Sequence, residues 1–255
     1  MRYCRQSPAP FRTFGPLFFD TVVRQASFRT FHRNVDDAMF DEIATACGCK
    51  PIGRMCLLDD TAVADLTKRC RVESGAAVLD IGCGRGFLGR WLRANGIEVR
   101  YAGVDRIAEA VATAREVPSA HVVECDFREY RGNQEFDAGF AIEIAIDGTL
   151  DEAILDVLKN ALRPGGSFAA TIASLDGDHA PRLATLAKAA ERRFINVSIE
   201  DWTSRAIPFA RCTYRRWLAV DWPSEIVEKT TLEALTALDA IEGGAFHYAV
   251  LIGTS

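Results

Sequence analysis

From Val72 onward, short apolar runs alternate with amphipathic stretches. AAVLDI, FLGRWLRAN, VRYAGVD, IAEAVATAREV, AHVVEC, FDAGFAI, LDEAILDVLKNAL and SFAATIA follow one another in strand and helix order. Parallel strands need a crossover between them, usually a helix, so this rhythm predicts an α/β domain whose sheet carries helices on both faces. PRLATLAKAAERR then reads as helix and INVSIEDW as strand. A segment from Thr203 to Gly243, with helical spacing in EIVEKTTLEALTAL, precedes a last strand AFHYAVLIG.

The turn after the first strand is the most informative local feature. VLDIGCGRGFLG, from Val78 to Gly89, reads as D-x-G-x-G-x-G from Asp80 and as G-x-G-x-x-G from Gly84. Both patterns need glycine where the backbone turns sharply and approaches a ligand more closely than a Cβ permits. A dinucleotide loop offers helix N-terminal amides to a pyrophosphate. S-adenosyl-L-methionine has no phosphate but has an ammonium and a ribose, so its loop benefits from a carboxylate beside the glycines, and Asp80 supplies one. Asp105 ends the second strand and serves a ribose in either reading. Asp126, in VVECDF, is the third acid; at the end of the third strand it can accept from an adenine amine, with Phe127 as a ring neighbour.

With these residues in place, the chain resembles the class I S-adenosylmethionine-dependent methyltransferases over roughly Val72 to Ala173. The resemblance rests on VLDIGCGRG, GVD, ECDF, FDAGFAIEIA and LRPGGSFAATIA, in family order and spacing. It implies a Rossmann-like, doubly wound, mostly parallel seven-stranded sheet with an antiparallel last strand. It also implies that Asp80, Gly82, Cys83, Gly84 and Gly86 hold the methionine portion of S-adenosyl-L-methionine. Asp105 would take the ribose, Arg106 flank the adenine, Asp126 and Phe127 bind it, and Ile142 and Glu143 lie beside the sulfonium. Gly89 becomes a close-packing position, and LRPGG a reversal ahead of the fifth strand. The insertion segment VSIEDWTSRAIPFARCTYRRWL is similar to that of natural-product, quinone or terpenoid methyltransferases.

Domain organisation follows: residues 1–71 form an N-terminal helical arm or lid, and 72–255 the cofactor-binding domain. Residues 203–243 are an insertion covering the substrate. In the arm, Met39, Phe40, Ile43 and Ala44, then Val63, Leu66 and Cys70 after a capping candidate Asp60, keep helical spacing. The basic, aromatic stretch before Asp36 reads either as a transit peptide or, with Phe18, Phe19, Val22 and Val23 as anchors, as an arm packed on the domain.

Methyl transfer is an in-line displacement in which alignment supplies much of the acceleration, so a base is optional. The candidates are His179, which follows the fifth strand in SLDGDHAP, and Glu143. His247 sits in an apolar strand and reads as a core or edge residue, and His32 and His121 have no placement argument. Tyr214 and Trp217 line either an acceptor pocket or the core. Arg211, Arg215 and Arg216 form a solvated helical face or an anion site.

The remaining features narrow the class. A net charge of −5 argues against nucleic acid as a partner, and the chain lacks the run of about 18 apolar residues that a membrane span needs. AIEIA lacks the [DN]-P-P-[YFW] loop of adenine amino-methylating enzymes. The expectation is a cytoplasmic enzyme acting on an oxygen, nitrogen or carbon of a small-molecule acceptor. A methyltransferase for protein or RNA, or a non-catalytic cofactor-binding subunit, is the alternative. Eight cysteines without C-x-x-C or a framework point to a reducing compartment and to thiols. Cys47, Cys49 and Cys56 lack the partners a zinc site requires, so no metal is expected. Oligomeric state leaves no mark in the sequence.

Overall fold

The alternating pattern resolves into one twisted sheet. The computed structural model describes residues 21–54, 56–145, 152–175 and 180–255. Its strands are β1 (Ala77–Ile81), β2 (Arg100–Asp105), β3 (His121–Glu124), β4 (Phe136–Ala145), β5 (Leu162–Ser174), β6 (Ile195–Asp201) and β7 (His247–Thr254). They lie in the order β3-β2-β1-β4-β5-β7-β6. Strands β1 to β5 pair in parallel, and β7 runs antiparallel between β5 and β6.

The helices are α1 (Thr21–Asn34), α2 (Asp37–Ala46), α3 (Asp60–Arg69), α4 (Phe87–Ala94), α5 (Ala108–Ala114), α6 (Glu152–Ala161), α7 (Ala180–Glu191), α8 (Thr203–Trp217) and α9 (Val227–Glu242). Every residue of β1 is buried, as a strand covered on both faces requires. Val78 faces a core built with α2, α3, α4, α8 and α9, whereas Ala77, Leu79 and Ile81 face one built with α6 and α7. No described helix is long and apolar enough to cross a membrane.

Several boundaries differ from the sequence reading for local reasons. LRPGG does not precede β5 but interrupts it. Leu162 already pairs with Phe136, and pairing resumes at Ser167 with Ala138, so Arg163 to Gly166 bulge out. The N-cap of α3 is Asp59, whose Oδ1 accepts from the Ala62 N–H at 2.7 Å. Asp60 is instead drawn inward, accepting from the Trp91 indole at 2.9 Å, from the Lys50 N–H and from Arg54. Pro208 falls inside α8 and obscures a helix that fills the first half of the insertion.

The arm is anchored through Phe31. Its ring meets those of Phe40, Trp217 and Trp222 at 6.1–6.3 Å, and the Lys229 ammonium lies 5.0 Å from its centroid. Arg33 adds an ion pair to Glu109 of α5. Phe18 and Phe19 lie outside the described residues.

Not all the cysteines are thiols. Cys47, at the C-terminus of α2, and Cys212, on α8, form a disulfide across 165 residues of sequence. No spacing rule connects two cysteines that tertiary packing alone brings together. A cross-link closing so long a loop is worth about 2–4 kcal/mol. Cys212→Ser is therefore expected to lower the melting temperature by on the order of 10 °C, measured by calorimetry without reductant. Dithiothreitol should lower the wild type to match and leave the variant unchanged.

Candidate active site

Strand order sets the site before any side chain does. The order in which successive parallel strands are added reverses between β1 and β4, which opens a crevice at the carboxyl ends of these strands. A cleft of about 250 Å³ lies there, and Asp80, Gly82, Cys83, Gly84, Asp105, Arg106, Ile142 and Glu143 are among the residues lining it.

The loop after β1 owes its course to glycine. Gly82, Gly84 and Gly86 have φ of +69°, +51° and +80°. A Cβ on Gly82 would stand 2.8 Å from Ile144, whereas one on Gly84 would meet no protein atom within 4 Å. Gly86 has a different task. It starts α4, and a Cβ there would press on Val117 and Ala114 of the α5 region, so it is a packing glycine outside the cleft lining. Gly89 does back onto the Tyr101 ring, 3.2 Å from a would-be Cβ.

Two acids are fixed at the floor. Asp80 Oδ2 accepts from the Tyr101 hydroxyl at 2.6 Å. Burial, opposed by that hydrogen bond and reinforced by the charge of Asp105, pushes its carboxyl up to about 7. Asp105 accepts from the Gly84 N–H with one oxygen and from the Ile107 N–H with the other, each at 2.9 Å, and burial raises it as well. The strand thus ties its acid directly to the glycine loop of its neighbour.

Glu143 reaches the wall by a distortion of β4. Ala141 pairs with Ala170 and Ala145 with Ile172, so three residues of β4 stand opposite Thr171 alone. Glu143 takes φ of +54°, a conformation costing roughly 1–2 kcal/mol for a residue with a Cβ. Its N–H donates to Thr171 Oγ1 at 2.8 Å. Oε1 accepts from the Leu57 N–H at 2.6 Å and from the Tyr248 hydroxyl at 2.9 Å. Bulges beside active sites commonly re-aim one side chain in this way.

Some sequence candidates stand elsewhere. Asp126 caps a short 3-10 turn, Phe127–Glu129, and pairs with Arg128 at 3.2 Å; neither it nor Phe127 lines the cleft. His179 lies outside the described residues. Tyr214 and Trp217 are core residues, edge to face at 5.7 Å. Arg211 and Arg215 bridge α8 to Glu242 of α9, and His247 opens β7 without lining the cleft.

Other lining residues went unrecognised. Phe28 and His32, one helical turn apart on α1, and Gly53 and Cys56 from the loop before α3 form part of the wall. Burial, with Arg85 and Lys229 nearby, lowers the His32 imidazole to about 4, so it is neutral at pH 7. Arg85 also lines the cleft, its Nε donating to Asp37 at 2.8 Å. The Phe28 and His32 spacing was the available signal; Cys56 had none.

Comparison with known proteins gives the fold a family context. Residues 78–166 match the model of a methyltransferase domain. Those residues run from β1 into β5 and include the glycine turn and both strand-end acids. The chain is 33% identical over 110 residues to trans-aconitate 2-methyltransferase of Azoarcus sp. (strain BH72), covering 42% of this chain and 43% of that one. It is 33% identical over 121 residues to malonyl-[acyl-carrier protein] O-methyltransferase of Enterobacter lignolyticus (strain SCF1), covering 46% of each. The match thus spans less than half the length of these relatives.

Solved structures extend the likeness in fold. Phosphoethanolamine N-methyltransferase 2 of Haemonchus contortus, in complex with S-adenosyl-L-methionine, superposes with a TM-score of 0.62 at 19% identity, covering 76% of this chain and 52% of that one. The [4+2]-cyclase SpnF gives 0.60 at 20%, covering 77% and 81%. The fold is therefore shared with proteins of differing chemistry, and this chain's own side chains must carry the functional reading.

The buried acids make a direct prediction. Asparagine at position 80 keeps the acceptor for Tyr101 and carries no charge. Because the folded carboxyl is raised, Asp80 destabilises the ligand-free fold as pH climbs from about 4 through 7. Asp80→Asn should melt above the wild type at pH 8, with the difference shrinking toward pH 5, as read by calorimetry at both pH values.

Proposed function

We propose that the chain is a methyltransferase that uses S-adenosyl-L-methionine to methylate an oxygen, nitrogen or carbon of a small-molecule acceptor. The observation that carries this reading is the conjunction, in one cleft at the switch point of the sheet, of a buried carboxylate, the left-handed glycines Gly82 and Gly84, and a second strand-end acid. Bound S-adenosyl-L-methionine supplies a methyl group already activated by its sulfonium.

The residues present fit that molecule. Gly84 leaves backbone exposed where a side chain would have room, so a ligand can approach the loop closely. Asp80 and the loop of Gly82, Cys83 and Gly84 would hold the methionine portion, the carboxylate facing its ammonium. Asp105, already oriented by the Gly84 and Ile107 amides, would take the ribose hydroxyls, with Arg106 beside the adenine. Ile142 and Glu143 would border the methyl group. The arm and the insertion, tied together at Phe31 and Trp217, would keep water from the acceptor. In this reading residues 1–71 and 203–243 act as covering elements, and a cleft of this volume suits a small acceptor better than a macromolecule.

Calorimetry tests the assignment. S-adenosylhomocysteine is expected to bind and NADH is not; Asp105→Ala should weaken binding of S-adenosylhomocysteine at least about tenfold, the scale of a lost hydrogen bond to a charged group. An ammonium beside Asp80 favours its ionised form, so binding should release a proton and tighten as pH rises from 6 to 8. That pH dependence should disappear in Asp80→Asn.

A further inference from the structure

The cleft wall at Glu143 is chemically one-sided. Three carboxylates line the cleft, and two of them, Asp80 and Asp105, are assigned to the donor. Of the two guanidiniums in the lining, Arg85 is held by Asp37, and Arg106 adjoins Asp105. The cation that acts on Glu143 is Arg54, which does not line the cleft. Arg54 is bound by Asp60 and the Leu58 carbonyl and lies 4.7 Å from the Phe87 ring centroid. Cys56, Phe87, Ile142 and Ile144 add no charge to the lining. A carboxylate acceptor beside Glu143 would place two like charges in a partly desolvated site where, among the described residues, no lining guanidinium pairs with Glu143.

The carboxylate itself is pre-positioned. Leu57 and Tyr248 both donate to Oε1, which leaves Oε2 without a protein donor among the described residues. The β4 bulge and the Thr171 contact fix the backbone beneath it. We infer that Glu143 Oε2 takes the proton from an acceptor that is a hydroxyl or an amine, and that the cleft disfavours carboxylate acceptors of the kind named for the two curated relatives. This inference rests on the donor assignment proposed above. In the transfer, the acceptor's lone pair forms the bond to the methyl carbon and the carbon–sulfur pair leaves on sulfur. The acceptor's proton passes to Oε2 and then to solvent.

Burial pushes the Glu143 carboxyl up to about 7, while the Leu57 and Tyr248 donors and Arg54 draw it down, which suits a base working near neutrality. The titratable groups around it stay in one charge state there: Cys56 is pushed up to about 12, and Tyr214 and Tyr248 well above their usual range, all by burial. With donor saturating, Asp80 is ionised against the ammonium, so a rising limb of kcat between pH 6 and 8 belongs to Glu143.

The test is transfer of methyl label from S-adenosyl-L-methionine into a metabolite extract by the full chain, with wild type, Glu143→Gln and Tyr248→Phe compared. Glutamine can still accept from Leu57 and Tyr248, so the fold is retained. The expected label resists mild alkali, as ethers and methylamines do, and sits on oxygen or nitrogen by mass spectrometry. Glu143→Gln should lose about 100-fold or more in kcat, with the affinity for S-adenosylhomocysteine within about twofold. Tyr248→Phe should shift the rising limb to higher pH, since a donor that favours the charged carboxylate is gone. An alkali-labile methyl ester, a carbon-bound methyl, or an unchanged kcat in Glu143→Gln with the limb lost instead in His179→Ala would overturn the inference while leaving the donor assignment intact. Failure of the wild type to bind S-adenosylhomocysteine would overturn both.

Discussion

The reversal of winding between β1 and β4 is the constraint on which the rest of the structure depends. Parallel strands place their carboxyl ends on one edge of the sheet, and the reversal keeps a crossover from covering that edge at the switch. The glycine turn after β1, the acid ending β2 and the bulge in β4 all open into the same crevice. Phe28 and His32 of α1 line the same crevice, and Phe31 packs that helix against Trp217 and Trp222.

Charge is the second constraint. Burying Asp80 and Glu143 without a directly paired cation raises both toward neutrality, and each keeps its position through neutral donors: a tyrosine for Asp80, a tyrosine and a backbone amide for Glu143. Such a site is costly when empty and gains from a cationic ligand. The sulfonium and ammonium of the proposed donor supply that charge, which links the destabilised apo cleft to the function inferred for it.

Much of this was legible in the sequence because it is encoded locally. The β–α alternation, the glycine turn of VLDIGCGRG and the acids near the ends of the first two strands follow from periodicity and turn chemistry; Gly82, Gly84, Asp80 and Asp105 line the cleft, whereas Gly86 packs on the α5 region instead. What was not legible depends on distant packing. Tyr248 reaches Glu143 only because β7 inserts beside β5, and Leu57 only because the loop before α3 folds over the end of β4. The Cys47–Cys212 bond and the role of His32 have the same origin. Asp126 shows the opposite limit: its position at a strand end was readable, but its pairing with Arg128 was not.

The most direct test of the central claim is a crystal structure of the full chain grown with S-adenosylhomocysteine. The account predicts its ammonium beside the Asp80 carboxylate, its ribose hydroxyls on Asp105, and its sulfur facing Ile142 and Glu143. A ligand lying outside this cleft, or one whose ribose makes no contact with Asp105, would contradict it.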